Sequence, residues 1–281
     1  MALLRVAPAL AGGTLRVDFI DVGQGDAALV TSPTGKTVLI DGGPREGRRA
    51  LVAFLDAHLH GPLDLILLTH RHDDHLAGLA PVVSRFGVRQ FLDAPVEHAQ
   101  KDYTSLMRAL EASHAAVRQA ERGRKIDLGG GAWLTLLGPP EPLITGSHSD
   151  VNANSVVARL DFGETRFLFM GDAETGTERW LLAERADVRA RVLKVAHHGS
   201  RFSSTPRFLH AVAPEIAVIS VGEKNDYHHP APGTLRRLES GGATVYRTDV
   251  DGTVTIESNG RNLTATSTRA PPQLVGQGGL P

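Results

Sequence analysis

Apolar and polar positions switch period repeatedly along the chain. The segment Leu15-Arg16-Val17-Asp18-Phe19-Ile20 and the runs at 27–31 and 37–40 predict three strands. The last two are separated by the turn signal Pro33-Thr34-Gly35-Lys36. Helical spacing follows over 46–58, and 65–68 is a short buried strand that leads into a histidine-rich run; a helix is then expected from about Asp74 to Phe86. The second half repeats this grammar, with strands expected at 133–137, 155–161, 165–170, 191–196, 216–221, 244–247 and 253–257. Helices are expected there at 173–185, 203–212 and 232–240. Meanders mixed with strand–helix alternation predict two sheets covered by outer helices. Polar motifs borne on the strand ends would then meet at one edge.

Residues 14–260 read as one domain. Residues 1–13, apolar and Ala-rich, read as an N-terminal arm, and 261–281 as a disordered tail that becomes rich in Pro, Gly and Gln. Among 281 residues, 41% are apolar and 22% charged, the profile of a soluble globular protein. The formal net charge is −1, which excludes a nucleic-acid binder that works by global charge and leaves only a local basic patch. There is no cysteine, so a transition metal must rest on imidazole and carboxylate ligands. No apolar run approaches the length of a bilayer-spanning helix, and the N-terminus lacks a leader pattern, so the expected location is the cytoplasm.

The chemistry concentrates in His70-Arg71-His72-Asp73-Asp74-His75. His70, His72, Asp74 and His75 are four possible metal ligands within six residues, directly after an apolar strand. In extended backbone His70 and His72 project to the same side. Asp74 and His75 point elsewhere and can serve a second ion nearby, as in a two-metal site. The bland alternative is a polar loop with Asp73 or Asp74 capping a helix. Asp172 ends the strand 165–170 and reads equally as a ligand or as a turn residue. His197 and His198 follow another strand; one of them is expected to be a ligand, with His197 preferred, and the other to orient or to face substrate. Ser200 and Ser204 are loop-borne donors suited to an anionic substrate, or helix caps.

Thr69 to His75 carries the H-x-H-x-D-H signature and resembles the metallo-β-lactamase superfamily. More sharply, the chain resembles the soluble domain of ComEC-type DNA-uptake proteins over most of residues 15–257. The matching pieces are Asp21-Val22-Gly23-Gln24-Gly25-Asp26-Ala27, Asp41-Gly42-Gly43, the histidine motif, Asn154-Ser155, Gly171-Asp172, Leu193 to Ser200 and Tyr227-His228-His229-Pro230. The resemblance implies an α/β fold, an αββα four-layer sandwich of two mixed sheets flanked by helices. It implies two divalent metal ions, zinc or manganese, held by His70, His72, Asp74, His75, Asp172 and His197 or His198, with Asp172 between them. Asp74 is then catalytic as a ligand or as the group that orients water, and His229 is a general acid or phosphate contact. Asn154 is grouped with Ser200 and Ser204 as a substrate contact. Asp26 and Asp41 lie beside the site as orienters or turn formers.

The chain departs from many relatives in lacking a third-motif histidine; His148-Ser149-Asp150 stands in that region. A first site with fewer histidines is expected to bind metal more weakly and to favour manganese. The expected activity is hydrolysis of phosphodiesters, DNA first among them, by a metal-activated hydroxide. Lys194, Arg201 and Arg207 flank the second histidine motif as phosphate contacts. The alternatives are a hydrolase of a lactone, thioester or phosphocholine ester, and a non-catalytic metal-bound binding module. The channel to which such domains are attached in DNA-uptake proteins is not seen, so a transport role is not expected.

Overall fold

The computed structural model describes residues 13–96, 98, 101–269 and 273–275. The first half runs β1 (Leu15–Phe19), β2 (Ala28–Thr31), β3 (Thr37–Ile40), α1 (Arg48–His58), β4 (Leu63–Leu67), α2 (Asp73–Leu76), α3 (Leu79–Phe86), β5 (Val88–Asp93), α4 (Lys101–Ala112) and β6 (Ala116–Gln119). The second begins with β7 (Lys125–Gly129), β8 (Ala132–Leu136), α5 (Asp150–Ala153), β9 (Ala158–Phe162), β10 (Thr165–Phe169), α6 (Thr175–Ala183) and β11 (Val192–Lys194). After a 3-10 turn at Ala196–Gly199 come α7 (Pro206–Val212), β12 (Ile216–Ile219), α8 (Pro232–Ser240), β13 (Thr244–Arg247), α9 (Thr248–Asp251), β14 (Val254–Ser258), β15 (Leu263–Ser267) and β16 (Gln273–Val275).

These strands form two mixed sheets. One has the order β16-β15-β14-β1-β2-β3-β4-β5-β6 and the other β13-β12-β11-β10-β9-β8-β7. Strand alternation explains how they stack. Val38, Ile40, Leu65, Leu67, Phe167 and Phe169 point between the sheets into a shared core. Leu39 and Ile66 point outward against Leu51, Leu55, Leu79 and Leu106 of α1, α3 and α4. Leu168 and Leu193 point outward on the other side, against Leu181, Phe208 and Leu238 of α6, α7 and α8. Helix, sheet, sheet and helix thus give the expected αββα layers. Burial on both faces is why β4 and β10 end in the apolar runs Leu65-Ile66-Leu67 and Phe167-Leu168-Phe169.

Three expectations need correction. The helix anticipated over 74–86 is two helices, α2 and α3. The Gly78 N–H donates to the Gly43 carbonyl at 3.0 Å, which breaks the helical ladder, and a Cβ there would lie 1.9 Å from the Gly42 carbonyl oxygen. The tail anticipated from 261 contains β15, which pairs antiparallel with β14 from Val254 opposite Ser267 to Ser258 opposite Leu263. The apolar members Leu263 and Ala265 join the inter-sheet core, which is enough to order the strand. β16 pairs with β15 in turn. The N-terminal arm, apart from Gly13, lies outside the described residues, as do 270–272 and 276–281. The third correction concerns β5, α4, β6 and β7, which the hydrophobic pattern did not bring out. All four residues of β6 are exposed, so it carries no buried period. Among the described residues no helix is long and apolar enough to cross a membrane.

Candidate metal centre

Each histidine and aspartate of the centre is delivered by the end of a buried strand. β4 leads through Leu68 and Thr69 to His70 and His72, and α2 starts at Asp73 with Asp74 and His75 in its only turn. β10 ends at Phe169, three residues before Asp172. β11 ends at Lys194, before the turn that carries His197 and His198. Candidate ligands from both sheets therefore meet at one edge of the sandwich.

Asp172 stands between two groups of donors. Its Oδ2 lies 3.7 Å from His70 Nε2, and its Oδ1 lies 3.2 Å from His75 Nε2 and 3.7 Å from His198 Nε2. His198 Nε2 is also 3.2 Å from Asp74 Oδ2. Two clusters result, His70 with His72 and Asp172, and Asp74 with His75, Asp172 and His198. Within each, the donor atoms lie within 4.8 Å of one another. Although buried, His70 Nε2, His75 Nε2 and Asp172 Oδ1 have no hydrogen-bond partner among the described residues. Orphaned buried donors of this kind are rare unless something else satisfies them. Imidazole plus carboxylate is a set that suits divalent cations, so the residues fit a pair of ions sharing Asp172.

The other face of each ring is already committed. His75 Nδ1 donates to Asp41 Oδ2 at 2.8 Å. Asp41 also accepts from the Thr69 backbone N–H and hydroxyl, at 2.8 and 2.7 Å. Since the Thr69 hydroxyl donates to Asp41, its oxygen is left to accept from His70 Nδ1 at 3.1 Å. His198 Nδ1 donates to the Ser220 carbonyl at 2.9 Å and faces Asp26 Oδ1 at 3.2 Å. With Nδ1 occupied, each ring presents Nε2 to the centre. Asp41 and Asp26 thus hold the rings of His75 and His198 in place. Lys194 does not reach for phosphate: it is buried, 2.7 Å from Asp26 Oδ2.

Burial works against every charge in this cluster, and the groups offset it in pairs. Despite burial, His198 is pushed up to about 10 by Asp172, Asp26 and Asp74. Burial likewise opposes ionised Asp26, but Lys194 and His198 bring it down to about 2. His198 and His75 hold the buried Asp172 carboxyl well below the usual range. His70 is held well below its ordinary value by burial and by neighbouring His75. Charge is balanced by imidazolium protons, which a bound cation would displace.

The two adjacent histidines separate in role. His198 belongs to the four-donor cluster, whereas His197, the residue preferred from the sequence, stands outside it. His197 Nε2 is 3.7 Å from Asp172 Oδ2, and its Nδ1 is 3.5 Å from Glu174 Oε1. Both residues have positive φ, 50° for His197 and 51° for His198. Two successive non-glycine residues in the left-handed region mark strain that the surrounding packing holds in place.

The centre forms the floor of a cleft of about 1070 Å³. His72, Asp74, Asp172, His197, His198, Ser200 and His229 line it. Burial, with His198 and His197 nearby, lowers His229 to about 4. Asn154 and Ser204 do not line the cleft. The Asn154 amide bonds the Ile144 backbone N–H and carbonyl and the Asp150 carbonyl, so it is spent on fixing the 144–150 loop. The Ser204 backbone N–H donates to Glu178, and its carbonyl accepts from Arg237 Nε. The neighbour Asn152 is the one that faces the cleft, with a buried, unpartnered Oδ1. Its helical offset of two from Asn154 was not visible without the position of α5. Arg201 lines the cleft, but Arg207 does not. Asp150 is turned away to cap Gly146 and Ser147.

Comparison with known proteins agrees with this geometry. The chain is 29% identical over 271 residues to ComE operon protein 3 of Bacillus subtilis, covering 90% of this chain and 34% of that one. It is 28% identical over 233 residues to competence protein ComA of Neisseria gonorrhoeae, covering 83% and 30% respectively. The chain thus spans about a third of the length of these curated relatives. The fold superposes on the metallo-beta-lactamase fold protein YhfI of Bacillus subtilis with a TM-score of 0.58 at 13% identity, over 88% of this chain and 100% of that one. It also superposes on Igni18, a metallo hydrolase of Ignicoccus hospitalis, with a TM-score of 0.54 at 18% identity, over 86% and 98%. Residues 20–223 match the metallo-beta-lactamase superfamily, a span that takes in both histidine motifs and the shared aspartate. By this match, and by the two donor clusters joined at Asp172, the chain belongs to the metallo-beta-lactamase superfamily.

Proposed function

We propose that this chain is a metal-dependent phosphodiesterase that acts on DNA. The observation that carries the reading is the sharing of Asp172 between two donor clusters on the floor of a large open cleft. His70, His72 and Asp172 would hold one divalent ion, zinc or manganese, and Asp74, His75, Asp172 and His198 the other. Ions so held supply Lewis acidity, which lowers the pKa of water and withdraws charge from the scissile group.

The chain's own residues do the rest. Asp41 and Asp26 fix the rings of His75 and His198, so that the donors are arranged before substrate arrives. Asp74 is the cluster carboxylate partly open to the cleft, placed to orient attacking water by accepting a hydrogen bond from it. His229, lowered to about 4, is neutral at physiological pH and can donate an N–H to a phosphate oxygen. Ser200 and Asn152 add polar contacts along the wall. The competence proteins among the relatives favour DNA as the substrate.

The test is incubation with end-labelled single- and double-stranded DNA under manganese and under zinc, with Asp74→Ala as the control. Cleavage that is lost in the variant and with chelator is expected. Turnover of a lactone alone, with DNA intact, would reverse the reading. No change in any activity of the His72→Ala/Asp74→Ala chain would favour a non-catalytic binding role.

A further inference from the structure

Among the described residues, three Trp, Phe or Tyr side chains stand exposed: Trp133, Phe202 and Tyr227. Two of them, Phe202 and Tyr227, line the cleft above the metal centre. Water-exposed rings on the wall of one cleft call for a ligand that covers them. Their attachment shows how they are aimed.

Tyr227 is 67% exposed. One face of its ring lies over His229, with centroids 5.9 Å apart and planes inclined by 21°. His229 in turn stands 5.5 Å from His197. The Tyr227 loop is clamped by Asn225, whose Nδ2 donates to the Gly222 and His229 carbonyls at 3.0 and 2.8 Å. Asn225 Oδ1 accepts from the His229 backbone N–H at 2.8 Å. Phe202 is 39% exposed and stacks on His148, with centroids 5.2 Å apart at 24°. Its backbone is pinned through its carbonyl, which accepts from the Thr175 N–H and hydroxyl at 2.9 and 2.7 Å, and through its N–H, which donates to Ser200 Oγ at 3.2 Å. The Arg201 guanidinium lies 4.8 Å from the Phe202 ring centroid and forms no ion pair among the described residues.

We infer that Tyr227 and Phe202 are stacking platforms for unpaired nucleic-acid bases, so that the cleft selects single-stranded over double-stranded substrate. The inference rests on the phosphodiesterase reading and deepens it. Exposed rings on fixed loops, a neighbouring guanidinium without an ion pair and a floor of candidate metal ligands are the parts of a single-strand groove. A base stacks on a ring through its π-face, and in a duplex that face is already covered by the neighbouring base pairs. A small lactone or ester would fill only part of about 1070 Å³ and would leave the rings in water. Stacking also tolerates any base, so the selectivity is for strand state and not for sequence.

The experiment compares a short oligothymidylate, an abasic strand of equal length and a duplex, using kcat/KM with manganese. Direct binding is read by fluorescence anisotropy in the Asp74→Ala chain. The wild type is expected to prefer oligothymidylate to the abasic strand and the duplex. Tyr227→Ala and Phe202→Ala should each shrink that preference by roughly 5- to 150-fold, the range for one stacked base. Tyr227→Trp should keep it, because a ring is restored. Equal losses on oligothymidylate and on the abasic strand would overturn the inference, as would an unchanged preference in both alanine variants. Cleavage of no diester by the wild type would instead remove the phosphodiesterase reading itself.

Discussion

His198 is ringed by Asp172, Asp26 and Asp74, and that enclosure links its proton to the cation. In the metal-free protein it is pushed up to about 10, so at neutral pH it carries a proton that a cation must displace. The sign follows: metal binding releases protons and tightens as pH rises toward that value. Calorimetry of manganese or zinc binding in buffers of different ionisation heats should show proton release near pH 7, and a count of zero would contradict the assignment. Asp41 holds the opposite face of the His75 ring and bears on the same equilibrium. Asp41→Asn keeps the size but weakens the acceptor, and should lower metal affinity by about 10- to 100-fold, the usual cost of losing such a partner. A chelator-competition titration measures it. At this scale the sequence exposed the candidate donors that the fold brings together, because His, His, Asp and His crowd six positions after an apolar strand. It could not rank His197 against His198, since their directions depend on two left-handed residues in succession. Nor could it tell Asn152 from Asn154.

The loop between β4 and α2 holds its shape through contacts that lie outside the histidine motif. Arg71 pairs with Asp93 at the end of β5, 2.7 Å apart and both buried. Its guanidinium lies 4.0 Å from the ring centroid of Tyr103 on α4, whose hydroxyl donates to Asp93 at 2.5 Å. Asp93→Ala leaves a buried guanidinium without its carboxylate and should destabilise the fold by about 3–5 kcal/mol. Replacing both charges with apolar residues, as in Arg71→Met/Asp93→Leu, should cost less. Urea denaturation of the two variants decides between them. On the other side, Gly25 packs its backbone against α2: a Cβ there would lie 2.2 Å from the Asp74 carbonyl oxygen, and its φ is +149°. Gly25→Ala should therefore displace the element that carries Asp74 and His75, and metal titration should show weaker binding at the four-donor cluster. Elements with two buried faces, such as β4 and β10, were legible as apolar runs. α4 and the exposed edge strand β6 were not, although α4 supplies Tyr103 to the site loop.

The donor set spans the whole molecule, because the histidine motif follows a strand of one sheet while Asp172 and His198 follow strands of the other. A cation held between them would tie the two sheets together at one edge, and it would bind only the folded chain, where six side chains from three segments converge. Binding to the native state alone stabilises by mass action, about 2.7 kcal/mol per ion when free metal is 100-fold above its dissociation constant. In a domain of this size each kcal/mol moves the melting temperature by roughly 2–4 °C. Chelation should then lower the transition by about 5–10 °C for each ion removed, and manganese or zinc should restore it. Because Asp172 serves both clusters, Asp172→Asn should melt at a temperature nearly insensitive to chelator. His72→Ala, confined to one cluster, should keep part of the response. If the Asp172→Asn chain and the wild type moved equally on chelation, the stabilising ion would have to lie elsewhere, and the bridge between the sheets would not be made at this carboxylate.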